Sequence, residues 1–222
     1  MNEKDAYLEA RKISFRYERS EFSLNEIDLK LYKNDFNALT GENGCGKTTL
    51  GKLLTGILTP DKGEVLINGK NTKKMDLGEI GTKLGYLFQN PERQIFAASV
   101  YDDISFPLYI NGMDTQAVKE KTEKIMKDLE IEHLKDKYPF NLSHGEKQRV
   151  ALAGILINDI EYLILDEPTS ALDSYRKDLL GSMLKNFNEK GVGIFIISHD
   201  EEFINKYCSR ILTISKEGGK IL

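Results

Sequence analysis

The chain has 222 residues, 40% hydrophobic and 30% charged, with a net charge of −4 and a pI near 5.6. That length suits one large domain, or one domain carrying a small insertion, and the apolar share is enough for a core. The acidic balance argues against a broad nucleic-acid-binding face, the two cysteines form no metal or redox spacing, and no apolar run approaches the ~18 residues of a membrane span. Met1-Asn2-Glu3-Lys4-Asp5 begins no apolar leader, so a cytosolic chain is expected.

The elements follow in order. Residues 8–17 alternate as a strand, with Ile13, Phe15 and Tyr17 on one face. A second strand covers 22–31 (Leu24, Ile27, Leu29, Leu31), and 36–39 reads as a buried strand feeding a helix at 49–56. Residues 64–67 run into an Asn68-Gly69 hairpin turn, and 83–88 form a further strand. A helix at 115–130 places Val118, Ile125, Met126 and Leu129 on one face. A second long helix covers 146–157. The short apolar runs 162–165 and 194–197 have the character of buried parallel strands. Helices at 173–188 and 201–207 and a strand at 210–215 complete the chain. Alternating strands and helices predict an α/β fold with a mostly parallel sheet. The helical stretch 91–143 reads as an inserted subdomain, dividing a core of 1–90 and 144–222 within a single domain.

Chemistry concentrates at strand ends. Gly41-Glu42-Asn43-Gly44-Cys45-Gly46-Lys47-Thr48-Thr49 lies between a buried strand and a helix. Its glycines permit a tight turn whose backbone N–H groups face inward at a helix N-terminus, a nest for phosphate. Lys47 is placed to reach the β- and γ-phosphates, the Thr48 hydroxyl to ligate Mg2+, and Thr49 to hold the α-phosphate side. Cys45 fits the turn as a small residue. The strand at 162–165 delivers Asp166 and Glu167 to its carboxyl end, where ligands bind in open α/β sheets. Asp166 can hold Mg2+ and Glu167 can accept the proton of an attacking water. His199 and Gln89 end strands in the same manner, His199 as a partner for the γ-phosphate and Gln89 for the metal or the water. Taken singly, Asp166-Glu167 could be two solvated acids, and His199 and Gln89 surface loop residues. The phosphate loop upstream favours the functional reading of all four.

Together these residues resemble the ATP-binding subunits of ATP-binding-cassette (ABC) transporters. Seven features occur in register: Tyr17 ahead of the phosphate loop, the loop itself, Gln89, the signature Leu142-Ser143-His144-Gly145-Glu146, Asp166-Glu167, the Ser170-Ala171-Leu172-Asp173 loop, and His199. The resemblance implies a P-loop NTPase core, an N-terminal antiparallel β subdomain and an inserted α-helical subdomain. It implies that Gly41, Asn43, Gly44, Cys45, Gly46, Lys47, Thr48 and Thr49 bind ATP with Mg2+, and that Tyr17 stacks on adenine. It also implies that Ser143, Gly145 and Glu146 face a nucleotide held by a second subunit, with Asp173 near the seam. Glu167, His199, Gln89 and Lys47 are then the catalytic set, and Thr48, Gln89 and Asp166 the metal set.

The run Gln89-Asn90-Pro91-Glu92-Arg93-Gln94-Ile95-Phe96, followed by Ser99-Val100-Tyr101-Asp102-Asp103-Ile104-Ser105-Phe106, resembles the energy-coupling-factor, or cobalt-type, subgroup. That subgroup implies uptake of a vitamin or of cobalt or nickel ions. The implied partners are a second ATPase, the same chain or a relative, a transmembrane coupling protein and a substrate-binding membrane protein, with no nucleic acid. The implied location is peripheral, on the cytoplasmic face of the membrane. Ile95 and Phe96 are candidate apolar contacts to the transmembrane component, or core residues of the insert. His144 and Glu146 depart from the family's usual glycine and glutamine, and because histidine changes charge near neutrality a pH-dependent contribution to pairing is expected. The sequence stops at Leu222, soon after its last strand; a further segment holds many such pairs together, so weaker pairing without ATP is expected. Two rival readings remain: a soluble ABC-type switch and a small-molecule kinase. The first commonly carries a coiled coil or a second cassette, and the second needs no signature.

Overall fold

The computed structural model describes residues 6–19, 22–170, 172–215 and 221. Met1 to Asp5, Ala171 of the loop after Glu167, and Leu222 lie outside the described residues.

Strands β1 (Leu8–Arg16) and β2 (Ser23–Leu31) pair antiparallel. On the other side β1 pairs with β4 (Lys62–Ile67), which turns into the two-residue β5 (Lys70–Asn71). The turn residues Asn68 and Gly69 have φ of 47° and 76°, the left-handed pair that such a hairpin requires. The predicted alternation Ile13, Phe15, Tyr17 does not persist along β1. The register shifts between Ala10 and Ile13 and again before Phe15, with Lys12 at φ 46° and Glu26 of β2 at φ 50°. A bulge adds a residue and re-aims the side chains after it. Leu8, Ala10 and Ile13 therefore share the buried face, and Tyr17 falls beyond the strand end.

The second sheet is parallel throughout, in the order β6-β7-β8-β3-β9. Its strands are β3 (Phe36–Thr40), β6 (Leu84–Leu87), β7 (Tyr162–Asp166), β8 (Gly193–Ile197) and β9 (Arg210–Thr213). Alternation divides their side chains between two cores. Leu39, Tyr86, Ile164, Phe195 and Ile197 face helix α1 (Lys47–Leu54) and the antiparallel sheet. Ala38, Leu87, Leu163, Leu165, Ile194 and Ile196 face the helices of a second core. Among these are α3 (Val100–Ile110), α4 (Thr115–Asp128), α5 (His144–Leu156), α6 (Ser174–Glu189) and α7 (Glu201–Tyr207); the short α2 (Leu77–Gly81) precedes β6.

The elements read from the sequence are present, with ends moved by at most two residues. Helix α1 starts at Lys47, two residues early, directly after Gly46 at φ 102°. Helix α3 was implied only by the helical stretch 91–143. It starts at a Ser99 cap whose Oγ accepts from Asp102 N at 3.1 Å. Val100, Ile104 and Leu108 of α3 and Val118 of α4 are continuous with the sheet's Leu163, Leu165 and Ile194 in one core.

Candidate functional site

Because the sheet is parallel, the carboxyl ends of β3, β6, β7 and β8 meet on one side of the molecule. They open there onto a cleft of about 600 Å3 lined by Tyr17, Phe22, Asn43, Gly44, Gly46, Lys47, Thr48, Thr49, Gln89, Glu167 and His199. The loop from β3 to α1 follows a path that side chains resist. A Cβ on Gly46 would lie 2.6 Å from both Leu24 Cδ2 and Phe22 Cζ, and one on Gly41 would lie 2.5 Å from the Ile214 carbonyl oxygen. Cys45 is buried, packing into the core beneath the loop, so it serves the site through its backbone and not its thiol.

Lys47 is also buried and donates from Nζ to the carbonyls of Gly41 (2.8 Å) and Glu42 (3.0 Å). An ammonium has three donors, so one remains for a ligand. Thr48 Oγ1 donates to Asp166 Oδ1 at 3.0 Å, tying α1 to the end of β7. The second carboxylate oxygen, Oδ2, accepts from the Tyr86 hydroxyl, also at 3.0 Å. Burial, followed by the Asp166 charge, pushes the Tyr86 phenol above its usual range and keeps it a donor. Among the described residues no cluster of three or more His, Cys, Asp or Glu could hold a metal. Mg2+ beside phosphates needs only one or two carboxylates with hydroxyl, amide and water oxygens. The Thr48 hydroxyl, the Asp166 carboxylate and the Gln89 amide are such donors, so the set fits Mg2+.

Glu167 has φ 50°, a left-handed conformation costing a non-glycine residue about 1–3 kcal/mol. Its N–H donates to Ile197 O at 2.8 Å, which holds the turn against β8. Glu167 Oε2 has no aligned hydrogen-bond donor among the described residues, and His199 Nδ1 approaches it at 2.8 Å as an ion pair when the imidazole is protonated. The Glu167 side chain is 12% exposed and that of His199 70%. A shielded carboxylate thus faces an exposed imidazole at the cleft mouth. Tyr17 stands at the mouth too, its ring edge-on to Phe15 (4.8 Å, 90°) and its hydroxyl 3.4 Å from Thr49 Oγ1.

Ser143, Gly145, Glu146 and Asp173 do not line this cleft. Ser143 caps α5 in a reciprocal box. Glu146 Oε2 accepts from Ser143 N (2.8 Å) and Oγ (2.7 Å), and Glu146 N donates to Ser143 Oγ (3.4 Å). These bonds, the Ser143 hydroxyl's first, hold the Glu146 carboxyl below the usual range. Gly145 borders a separate crevice with Gln148, Arg149, Leu172 and Arg176. Asp173 caps α6, accepting from Arg176 N at 2.8 Å. The two surfaces are linked through Gln148 of α5, whose Nε2 donates to Pro168 O at 2.6 Å, one residue past Glu167. His144 is exposed at the start of α5, and Lys147 of the same turn ion-pairs with Glu92, the third residue after Gln89.

The segment after Gln89 separates its two candidate contacts. Ile95 is 5% exposed and packs in the core, so the expectation that it meets a partner is corrected; Phe96 is 57% exposed. Phe96 packs edge-on to exposed Phe106 of α3 (4.8 Å, 72°). The backbone N–H groups of Phe96 and Ala97 donate to Asp103 Oδ2 at 2.9 and 2.8 Å, and burial pushes that carboxyl upward. Phe22, Tyr86 and Asp103 were missed by the sequence reading. Tyr86 and Phe22 reach the site only through strand register. Asp103 had a signal, a second acid in the first turn of a capped helix.

A family model of the ABC transporter family matches residues 24–170. The energy-coupling factor transporter ATP-binding protein EcfA of Methanocaldococcus jannaschii is 38% identical over 217 residues, 97% of this chain and 77% of that protein. Among solved structures, cbiO1 from Clostridium perfringens, described as part of the ABC transporter complex cbiONQ, superposes with a TM-score of 0.87 at 31% identity, covering 98% of this chain and 87% of that one. The ATP-binding cassette MJ0796, in a dimeric post-hydrolysis state bound to ADP and Pi, gives a TM-score of 0.84 at 25% identity, with 96% of each chain covered. The chain spans only 47% and 38% of the length of two curated relatives that it matches over 94% and 98% of itself.

Proposed function

The chain belongs to the ABC transporter family, and from that premise we propose that it is the ATP-hydrolysing subunit of an energy-coupling-factor-type uptake system for a vitamin or for cobalt or nickel ions. The observation that carries the ATPase reading is the single cleft in which the phosphate loop, Gln89, Glu167 and His199 converge above Asp166. In this reading the loop amides and Lys47 hold the β- and γ-phosphates, and Tyr17 stacks on the base. Thr48, Gln89 and Asp166 would hold Mg2+, which would neutralise phosphate charge. Glu167 takes a proton from water as its oxygen attacks the γ-phosphorus in line and the bond to the β–γ bridging oxygen breaks. His199 and Gln89 position that water and the γ-phosphate. The protein's contribution is placement and charge, with no covalent intermediate.

Ser143, Gly145, Glu146 and Asp173 stand away from the chain's own cleft, which favours their use on the cleft of a second subunit, either this chain or a relative. The start of α5 suits an anion. Closure on two ATP completes both sites and hydrolysis reopens them. The exposed Phe96–Phe106 ledge, close in sequence to Gln89, supports docking of a transmembrane coupling protein that grips a substrate-binding membrane protein. No helix among the described residues is long and apolar enough to cross a membrane, consistent with a peripheral place on the cytoplasmic face. A single domain, with 91–143 as a helical insert in a core of 1–90 and 144–222, completes the proposal.

The test is light scattering of the Glu167→Gln protein, a 25.2 kDa chain, with Mg2+ and ATP or ADP. A dimer with ATP alone is expected if the chain pairs with itself. A monomer that binds ATP assigns the other half to a relative, and failure to bind ATP refutes the reading. Co-purification with a membrane protein separates transport from a soluble switch, and phosphate release without an acceptor excludes a kinase.

A further inference from the structure

The hydroxyl of Tyr86 belongs to no feature of the resemblance, yet it touches the one carboxylate of the proposed metal set. Tyr86 is nearly buried on β6, its face directed at α1. Its hydroxyl donates to Asp166 Oδ2 at 3.0 Å while Thr48 donates to Oδ1 at 3.0 Å, so the two oxygens of one carboxylate are held from opposite elements. Asp166 itself is 2% exposed and ends β7, where β6 is its immediate neighbour. A carboxylate fixed at one oxygen can still rotate; fixed at both, its plane is set.

The space for this arrangement is made by Gly51, in the middle of α1. A Cβ there would lie 3.1 Å from Tyr86 Cε2, 3.4 Å from its hydroxyl oxygen and 2.9 Å from Ile197 Cδ1. A glycine inside a helix costs about 1 kcal/mol relative to alanine, and its φ is not one of the positive values, so the backbone does not require it. Ile197 Cδ1 and the ring of Tyr86, which close on this position together, do. Helix α1 therefore gives up propensity beside the phosphate loop at the position where a phenol must reach Asp166.

We propose that Tyr86 is a positioning residue for the metal site, orienting the Asp166 carboxylate toward the Mg2+ that accompanies ATP, and that Gly51 is the residue that admits it. The inference rests on the proposed ATP site and extends it to a contact outside the metal's immediate ligands. Groups that hold a metal-binding carboxylate commonly change metal affinity about 10–100-fold when removed.

The experiment compares Tyr86→Phe with the parent by titrating a fluorescent ribose-labelled, non-hydrolysable ATP analogue, once in EDTA and once in saturating Mg2+. Phenylalanine keeps the ring beside Gly51 and removes only the hydroxyl. The expected result is an unchanged Kd in EDTA and loss of about tenfold from the Mg2+-dependent gain in affinity. Gly51→Ala should lose part of the same gain in the parent and none further in the Tyr86→Phe background. A Tyr86→Phe protein that keeps the full Mg2+ gain overturns the inference and leaves the ATP site standing. So does an equal loss in EDTA and in Mg2+, which is the mark of general damage, or a parent that binds nucleotide equally with and without Mg2+. A parent that binds no nucleotide overturns the ATP site and the inference together.

Discussion

Glu146→Gln separates the two roles of the signature turn, because its effects on stability and on pairing have opposite signs. The carboxylate accepts two short bonds, from Ser143 N at 2.8 Å and from Ser143 Oγ at 2.7 Å, and stands at the N-terminus of α5. Glutamine still offers an oxygen to the Ser143 N–H. What is lost is the charge in those bonds and its interaction with the helix dipole, together about 1 kcal/mol. For a chain of this size that lowers Tm by about 2–4 °C. The Glu146 carboxyl is held below its ordinary value, so its contribution is full above about pH 4.3 and disappears as pH falls through the depressed value. The difference in Tm between parent and variant should accordingly be level from pH 6 to 8 and vanish toward strong acid. Pairing should respond in the other direction. In the proposed dimer, removing a negative charge from the helix end that would face a partner's phosphate should lower the ATP concentration for half-maximal dimerisation, by about tenfold if about 1.4 kcal/mol of repulsion is relieved. The assays are differential scanning fluorimetry and light scattering, both in the Glu167→Gln background. A variant with unchanged Tm that needs as much ATP as the parent, or more, refutes both the capping role and the repulsion.

Asp103→Ala should cost about 1–3 kcal/mol in urea unfolding, because the part-buried N–H groups of Phe96 and Ala97 lose their acceptor, whereas Asp103→Asn should lose less than half of that; equal losses would show that the bonds are not the cause. Gly193→Ala places a Cβ 2.3 Å from the ring of fully buried Tyr162 and should destabilise by about 1–3 kcal/mol, read in the same assay. Both thiols should resist a thiol reagent in the native protein at pH 8 and react after denaturation. Cys45 is buried, and burial pushes the Cys208 thiol up to about 12; rapid native labelling of either would contradict its placement.

The sequence by itself determined the elements and the local chemistry. Period-2 and period-3.6 patterns are properties of consecutive residues, so the buried strands at 162–165 and 194–197 and the helix at 115–130 could be read directly and reappear as β7, β8 and α4. The phosphate loop was legible for the same reason, since glycine spacing, Lys47 and Thr48 act within nine residues. The bulges at Lys12 and Glu26 were not legible, because an extra residue in a strand is defined only against its partner's register. That uncertainty hid the placement of Tyr17 and the contact of Phe22 with the loop. Only the tertiary structure decided that Ile95 is buried while Phe96 is exposed, since both are apolar and adjacent and differ only in what packs over them. It alone brought the Tyr86 hydroxyl to Asp166, because the order β6-β7 joins residues 80 positions apart and the gap at Gly51 belongs to a third element. It also gave Glu146 to Ser143 as a cap.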